Sequence, residues 1–168
     1  METIEQTLVL LKPDTLERGL VGEILQRFER VGLKIVGMKL LQPTIDKAEK
    51  HYTEDLAIRR GEHVRKAMVD MLTSGVVVAI VLEGVEAVEL VRKMIGSTEP
   101  KSSAPGTIRG DYAHVSFKHV DASTSSELFN LIHGSATPEE AKVEVNVWFT
   151  PEELVQHEPV YTKHTLTK

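Results

Sequence analysis

The chain has 168 residues, with 20 Lys plus Arg against 25 Asp plus Glu for a formal net charge of -5, and no cysteine. That length is enough for one domain with a single sizeable core, and the charge leaves no global basic field to recruit nucleic acid. The lack of cysteine excludes disulfides, thiolate metal sites and a cysteine nucleophile together, and fits a reducing compartment. The stretch Met1 to Gln6 is acidic, and no apolar run approaches the ~20 residues of a membrane span. The expectation is therefore a soluble cytoplasmic protein, a single domain over residues 1–168 with a tail from about residue 150. No internal repeat, low-complexity tract or long linker interrupts it.

Thr7 to Leu11 is a nearly continuous apolar run, suited to a strand buried on both faces. It ends at Lys12-Pro13-Asp14, where proline stops the strand and leaves Lys12 at its end, either as a solvated turn lysine or as a cation that meets a ligand. Leu20, Ile24, Phe28 and Val31 at helical spacing, followed by Gly32, predict an amphipathic helix with a glycine stop. Leu33 to Leu41 alternates as a second strand, closed by Pro43-Thr44. From Ile45 to Leu72 the pattern is helical but interrupted. Asp46 to Tyr52 reads as one helix, and Val64, Ala67, Met68, Met71 and Leu72 form the inner face of another, with Arg59-Arg60-Gly61 between them. Tyr52 lies at the break.

Val76 to Leu82 is the clearest strand and is expected to be central. Glu83-Gly84 is expected to turn it into a helix over Val85 to Ile95, with Val88, Val91 and Ile95 on one face. Arg92 and Lys93 fall in its last turn, where cations favour the helix dipole. Gly96 to Asp111, with three glycines and two prolines, reads as a long irregular loop. Such loops are usually functional, and this one offers Thr98, Lys101 and Arg109 as oxyanion donors, Lys101 reading better as ordinary surface. Tyr112 to Ser126 carries little pattern. His114 and His119 lack the further clustered ligands of a metal site.

Around the start of the stretch Asn130 to Thr137, Leu128, Phe129, Leu131 and Ile132 are expected to anchor a short buried segment. His133 then emerges at its end beside Gly134, which lets another backbone or a ligand come close. A neutral imidazole there can act as a nucleophile that accepts a phosphoryl group and releases it; the alternative is a turn residue or a satisfied core histidine. Thr137-Pro138-Glu139-Glu140 is a strong helix start. Val143, Val145 and Val147 alternate like a strand, but the start signal favours a helix. Thr150-Pro151-Glu152-Glu153 repeats that signal before a polar tail, expected to wrap over the surface or a neighbouring subunit. The order of strands and helices predicts an α/β fold: a ferredoxin-like α/β sandwich with a four-stranded antiparallel sheet covered by helices.

Lys12-Pro13-Asp14 after a strand, Glu17-Arg18-Gly19-Leu20 before a helix, His51-Tyr52, and Gly106 to Asp111 (Gly-Thr-Ile-Arg-Gly-Asp) form one part of a recurring pattern. Asn130 to Ser135 (Asn-Leu-Ile-His-Gly-Ser) and Trp148-Phe149 followed by Pro151 to Leu154 complete it. In order and spacing, over nearly the full chain, these motifs resemble the nucleoside diphosphate kinases. The resemblance implies a ping-pong transfer of the γ-phosphoryl group from a nucleoside triphosphate, through a phosphohistidine, to a nucleoside diphosphate. His133 matches the nucleophile and Glu144 the acid that holds the other ring nitrogen, with Ser135 and Glu54 matching neighbours in that network. Lys12 and Tyr52 match contacts to the transferred phosphate, and Arg92, Thr98 and Arg109 the clamp on the remaining phosphates. Asn130, with Lys12, matches contacts to the sugar hydroxyls. The implied cofactor is Mg2+ carried on the nucleotide phosphates, with no dedicated protein metal site. The implied partners are nucleoside triphosphates and diphosphates and further copies of the chain, in a hexamer or tetramer, with no membrane and no specific nucleic acid. The rival expectation is a ferredoxin-like nucleotide-binding regulatory module without transfer, since a fold alone does not fix a function.

The chain departs from the family pattern in three places. Gly-Ser-Ala-Thr stands where members usually have Gly-Ser-Asp-Ser, so Ala136 lacks an acid that helps fix the local turn. The family's base-stacking phenylalanine has no counterpart among Ile58 to Val64. The stretch from Tyr112 to Asn130 is longer than in common members, and is expected over the nucleotide cleft or at a subunit contact.

Overall fold

The structure, a computed structural model, describes residues 3–123 and 128–165. Strand β1 (Ile4–Leu11) lies inside a four-stranded sheet of order β2-β3-β1-β4, with β2 at Lys34–Leu41, β3 at Val77–Val85 and β4 at Ile132–Gly134. Every pairing is antiparallel. Thr7 to Leu11 is wholly buried because helices cover both faces of the sheet. Leu8 and Leu10 join Val77, Ala79 and Val81 on one face, against α3 (Ile45–His51), α5 (Glu62–Thr73) and α9 (Pro138–Trp148). Val9 and Leu11 join Val78, Ile80 and Leu82 on the other, against α2 (Val21–Arg30) and α6 (Ala87–Ile95). Successive strand residues point to opposite faces, so an unbroken apolar run serves two cores at once. Each fully buried leucine contributes about 1.5–3 kcal/mol relative to exposure.

The α/β sandwich with its antiparallel sheet is as the sequence predicts, and three boundaries differ. Glu83-Gly84 does not end β3. Gly84 pairs with Glu5 and Glu83 with Lys34, so the ladder with β1 runs on to Val85, and the left-handed Glu86 (φ 47°) starts the helix instead. The interruption between the two predicted helices is itself a helix, α4 (Glu54–Arg60), which buries no residue and so shows no apolar period. The loop expected from Gly96 to Asp111 contains a 3-10 turn at Pro100–Ser102, and α7 (Ile108–Tyr112) opens where Thr107 caps it by accepting the Gly110 amide.

Phe129, expected to anchor the segment before His133, is exposed; Leu128, Leu131 and Ile132 are the buried members. Val143 is exposed too, as the helical reading of α9 requires, and Thr137 caps that helix by accepting the Glu140 amide. The short helices α1 (Pro13–Glu17), α8 (Phe117–Asp121) and α10 (Thr162–Thr165) are the remaining helices among the described residues. Thr150 and Glu153 form a capping box, after which the tail runs beside β2: the Val155 amide donates to the Val36 carbonyl at 2.7 Å, and His157 Nε2 lies 2.9 Å from the Ile35 carbonyl. Of the longer segment after Tyr112, α8 is tied to the preceding loop through the Phe117 amide and Glu99 Oε1 at 2.8 Å. Thr124 to Glu127 of that segment lie outside the described residues.

Candidate active site

His133 owes its direction to register. It pairs with Leu10, whose side chain joins the core under α3 and α9, so the imidazole faces that side of the sheet. The entry to β4 is strained, because Leu131 adopts the left-handed region (φ 69°), which is uncommon for a residue other than glycine. Three bonds from the start of α1 hold it there: the Lys12 amide and the Thr15 hydroxyl donate to the Leu131 carbonyl at 2.8 and 2.5 Å, and the Leu131 amide donates to Asp14 Oδ2 at 3.0 Å. Gly134 lets β4 close against α6, since a Cβ there would lie 2.7 Å from Ile95 Cδ1. The close neighbour is thus the core rather than a ligand.

Glu144 and Trp148, one helical turn apart, are both buried on the inner face of α9. Both Glu144 carboxylate oxygens lie 3.0 Å from His133 Nε2, and the Ser135 hydroxyl donates to Oε2 at 2.5 Å. Ser135 is itself fixed by the Leu8 amide at 3.3 Å. Burial pushes the Glu144 carboxyl up, but the hydrogen bonds and charge of His133 and the bond from Ser135 outweigh it, and the group lies below its ordinary value. Among the described residues no hydrogen bond occupies His133 Nδ1, and the side chain keeps 21% of its surface exposed.

Glu54 is absent from this network. It stands exposed in the first turn of α4, and the further neighbour of Glu144 is His51. The His51 ring lies edge-on to His133 at 4.4 Å between centroids, Nδ1 accepts from Trp148 Nε1 at 3.3 Å, and Glu144 Oε1 lies 3.5 Å from the same atom. Burial and the nearby His133 push its pKa down to about 3. Within the His51-Tyr52 motif, His51 carries no role of its own in the sequence pattern. The available signal was its place with Ala48 on the inner face of α3, three residues apart. Tyr52 follows as the cap of that helix, its ring 4.7 Å from His51, and burial beside Glu144 raises its phenol.

The cationic side of the site is built on Asn130. Lys12 Nζ donates to Asn130 Oδ1 at 2.6 Å, and Asn130 Nδ2 donates to the Thr98 carbonyl at 2.9 Å. Lys12 is only 3% exposed, and burial, reinforced by the Arg109 charge, lowers its pKa to about 7. Arg109 is also buried. Its guanidinium donates to the carbonyls of Asn130, Gly96, Ser97 and Ile132 at 2.5 to 3.2 Å, tying the loop after α6 to β4 and the residues that lead into it. Burial and the nearby Arg92 lower its pKa to about 10. Arg92 and Thr98 are exposed, at the end of α6 and in the loop beyond it. The structure therefore gathers Lys12, Arg109, Asn130 and Thr98 about the start of β4, and His133, Glu144, Ser135 and Tyr52 about its end. An imidazole held through one nitrogen by a buried carboxylate, open at the other and flanked by cations, is equipped to accept a phosphoryl group.

The sequence profile of the family described as nucleoside diphosphate kinase matches residues 5–154. A nucleoside diphosphate kinase of Thermus thermophilus is 49% identical over 152 residues, covering 90% of this chain and 100% of that protein. One from Pyrococcus furiosus is 45% identical over 157 residues, covering 94% and 90%. Among solved structures, a transition-state mimic of the Borrelia burgdorferi nucleoside-diphosphate kinase with vanadate and ADP superposes with a TM-score of 0.94 at 38% identity, covering 98% of each chain. The halophilic enzyme of Halobacterium salinarum in complex with CDP gives 0.82 at 36% identity, covering 97% of this chain and 99% of that one.

Proposed function

We propose a residue-level mechanism for a chain that belongs to the nucleoside diphosphate kinase family and carries its phosphotransferase activity. His133 Nδ1 attacks the γ-phosphorus of a nucleoside triphosphate. The N–P bond forms as the bond to the β-bridging oxygen breaks, and the nucleoside diphosphate leaves with that electron pair. A β-phosphate oxygen of a second nucleoside diphosphate then takes the phosphoryl group and returns His133 to its starting state.

The observation that carries this reading is the hold on His133 Nε2 by both oxygens of Glu144 at 3.0 Å. A proton kept on Nε2 leaves the lone pair on Nδ1, and the carboxylate stabilises the positive charge that the ring gains as the N–P bond forms. Lys12 and Tyr52 meet the transferred phosphate, Arg92, Thr98 and Arg109 the remaining phosphates, and Asn130 with Lys12 the sugar hydroxyls. Phosphoryl transfer needs positioning and charge neutralisation above all, which suits a set this rich in cations. The phosphate side offers cationic and neutral donors rather than a carboxylate cage, so Mg2+ would be held through the nucleotide phosphates and would supply further neutralisation of their oxygens. The chain works in the cytoplasm as a homo-oligomer, a hexamer or tetramer, in line with its family. Among the described residues no helix is long and apolar enough to cross a membrane. A nucleotide-binding module without transfer has no need for the buried pair of His133 and Glu144, and is not favoured.

The test is to incubate the protein with γ-labelled ATP and Mg2+, remove nucleotide, and chase with GDP. Acid-labile label on the protein that passes to GTP is expected. Nucleotide bound with no label transferred to the protein would overturn the mechanism.

A further inference from the structure

His51 has no part in the transfer chemistry, yet it is buried against it. Its Nδ1 is approached by two groups with opposite demands: the Trp148 indole N–H, which donates from 3.3 Å, and Glu144 Oε1, an acceptor 3.5 Å away. The lone pair that accepts from the indole therefore faces a carboxylate oxygen with no proton between them. The other ring nitrogen, Nε2, is buried and has no hydrogen-bond partner among the described residues. His133 Nε2 stands 3.0 Å from the same carboxylate, and one ligand atom from each of His51, His133 and Glu144 lies within 4.8 Å of the others.

Two imidazoles and one carboxylate are the donor set of three-ligand zinc sites with an open fourth position. Tetrahedral bonds of ~2.0–2.1 Å place ligand atoms about 3.3 Å apart. The separations of 3.0 and 3.5 Å to Glu144 bracket that spacing. The remaining edge, between the two rings, lies within 4.8 Å and has to shorten on binding, with His133 the most exposed of the three side chains.

We propose that His51, His133 and Glu144 form a binding site for one divalent transition-metal ion of the Zn2+ class, and that its occupancy switches off phosphoryl transfer. The switch rests on His133 being the nucleophile. A metal on His133 Nε2 takes the position of the proton given to Glu144, and the ring proton moves to Nδ1. The atom that must attack phosphorus then has no lone pair. Mg2+ does not compete, because it demands octahedral oxygen ligands and dehydrates reluctantly. On His51 the metal takes the Nδ1 lone pair from the indole, and Trp148, the one tryptophan in the chain, reports the event.

The experiment titrates Zn2+ into untagged, nucleotide-free protein by calorimetry and by Trp148 fluorescence, alongside His51→Asn, which keeps an acceptor for the indole, and His51→Phe, which keeps the ring packing. The expected result is one saturable ion per chain with a shift in indole emission, and binding weakened at least tenfold in both variants. Zn2+ should also block labelling of the wild type by Mg-ATP, with each variant less sensitive relative to its own metal-free rate. Wild-type binding without saturation, or variants that bind like the wild type, would overturn the site. A protein that takes phosphate from Mg-ATP but ignores Zn2+ loses the metal site and keeps its nucleophile. One that binds a single Zn2+ but never takes phosphate loses the nucleophile and the switch.

Discussion

Both oxygens of Glu144 lie 3.0 Å from Nε2 of His133, on a carboxylate that also accepts from Ser135 and faces His51. The pairing controls which ring nitrogen carries the proton, so the two residues should fail differently. A hydrogen bond to a charged group is worth about 1.5–3 kcal/mol, so Glu144→Gln should lower the rate of phosphohistidine formation by roughly 10- to 100-fold. His133→Ala should give no acid-labile phosphate while still binding ADP by calorimetry. Substantial turnover in His133→Ala would remove the mechanism.

Lys12 sets a pH dependence. With its pKa at about 7 against an ordinary 10.5, the free protein holds this charge below neutrality and loses it above. The KM for nucleotide should therefore rise as pH climbs through 7, and Lys12→Met should flatten that limb. Stability moves the opposite way. Between those two values the unfolded chain binds more protons than the folded one, so stability rises with pH as the cost of burying the charge is relieved. Chemical denaturation of the two proteins from pH 6 to 9 checks the sign.

Arg109 should matter twice, because its guanidinium bonds the carbonyls of Asn130, Gly96, Ser97 and Ile132 before any ligand arrives. Arg109→Ala leaves buried carbonyls unpaired and should cost about 3 kcal/mol in urea unfolding, as well as weakening ADP binding. Arg109→Lys should recover little of the stability, since an ammonium cannot reach that fork of acceptors.

Gly134→Ala should push β4 away from α6. The added methyl would lie 2.7 Å from Ile95 Cδ1 and 3.2 Å from Val91 Cγ1, overpacking that costs about 1–3 kcal/mol. Ile95→Val removes the nearer atom, so the double variant should regain stability and turnover relative to Gly134→Ala alone. Equal loss in both would show that the close approach does not limit the strand.

Much of this was legible along the chain. Apolar runs marked β1 and β3, periodicity with a glycine stop marked α2, and Thr137-Pro138 marked α9, because burial and capping leave local signatures. Helix α4 left none, since none of its residues is buried. The extension of β3 to Val85 was hidden as well, because its pairing depends on where β1 begins. At Ala136 the missing acid is supplied from the next helix, where Glu140 Oε2 accepts the Ala136 amide at 3.0 Å.

The sequence by itself determined the order of the strands and of the longer helices that pack on the sheet, the two-sided burial of the central strands and the motifs that carry the family likeness. Each of these is written within a few neighbouring residues. Only the tertiary structure decided what surrounds His133. Pairing with Leu10 turns the ring toward α3 and α9, and packing of those helices over one face brings His51 to Trp148 across 97 positions of sequence. Periodicity tells a helix which face to bury; it does not say which other helix will lie against that face.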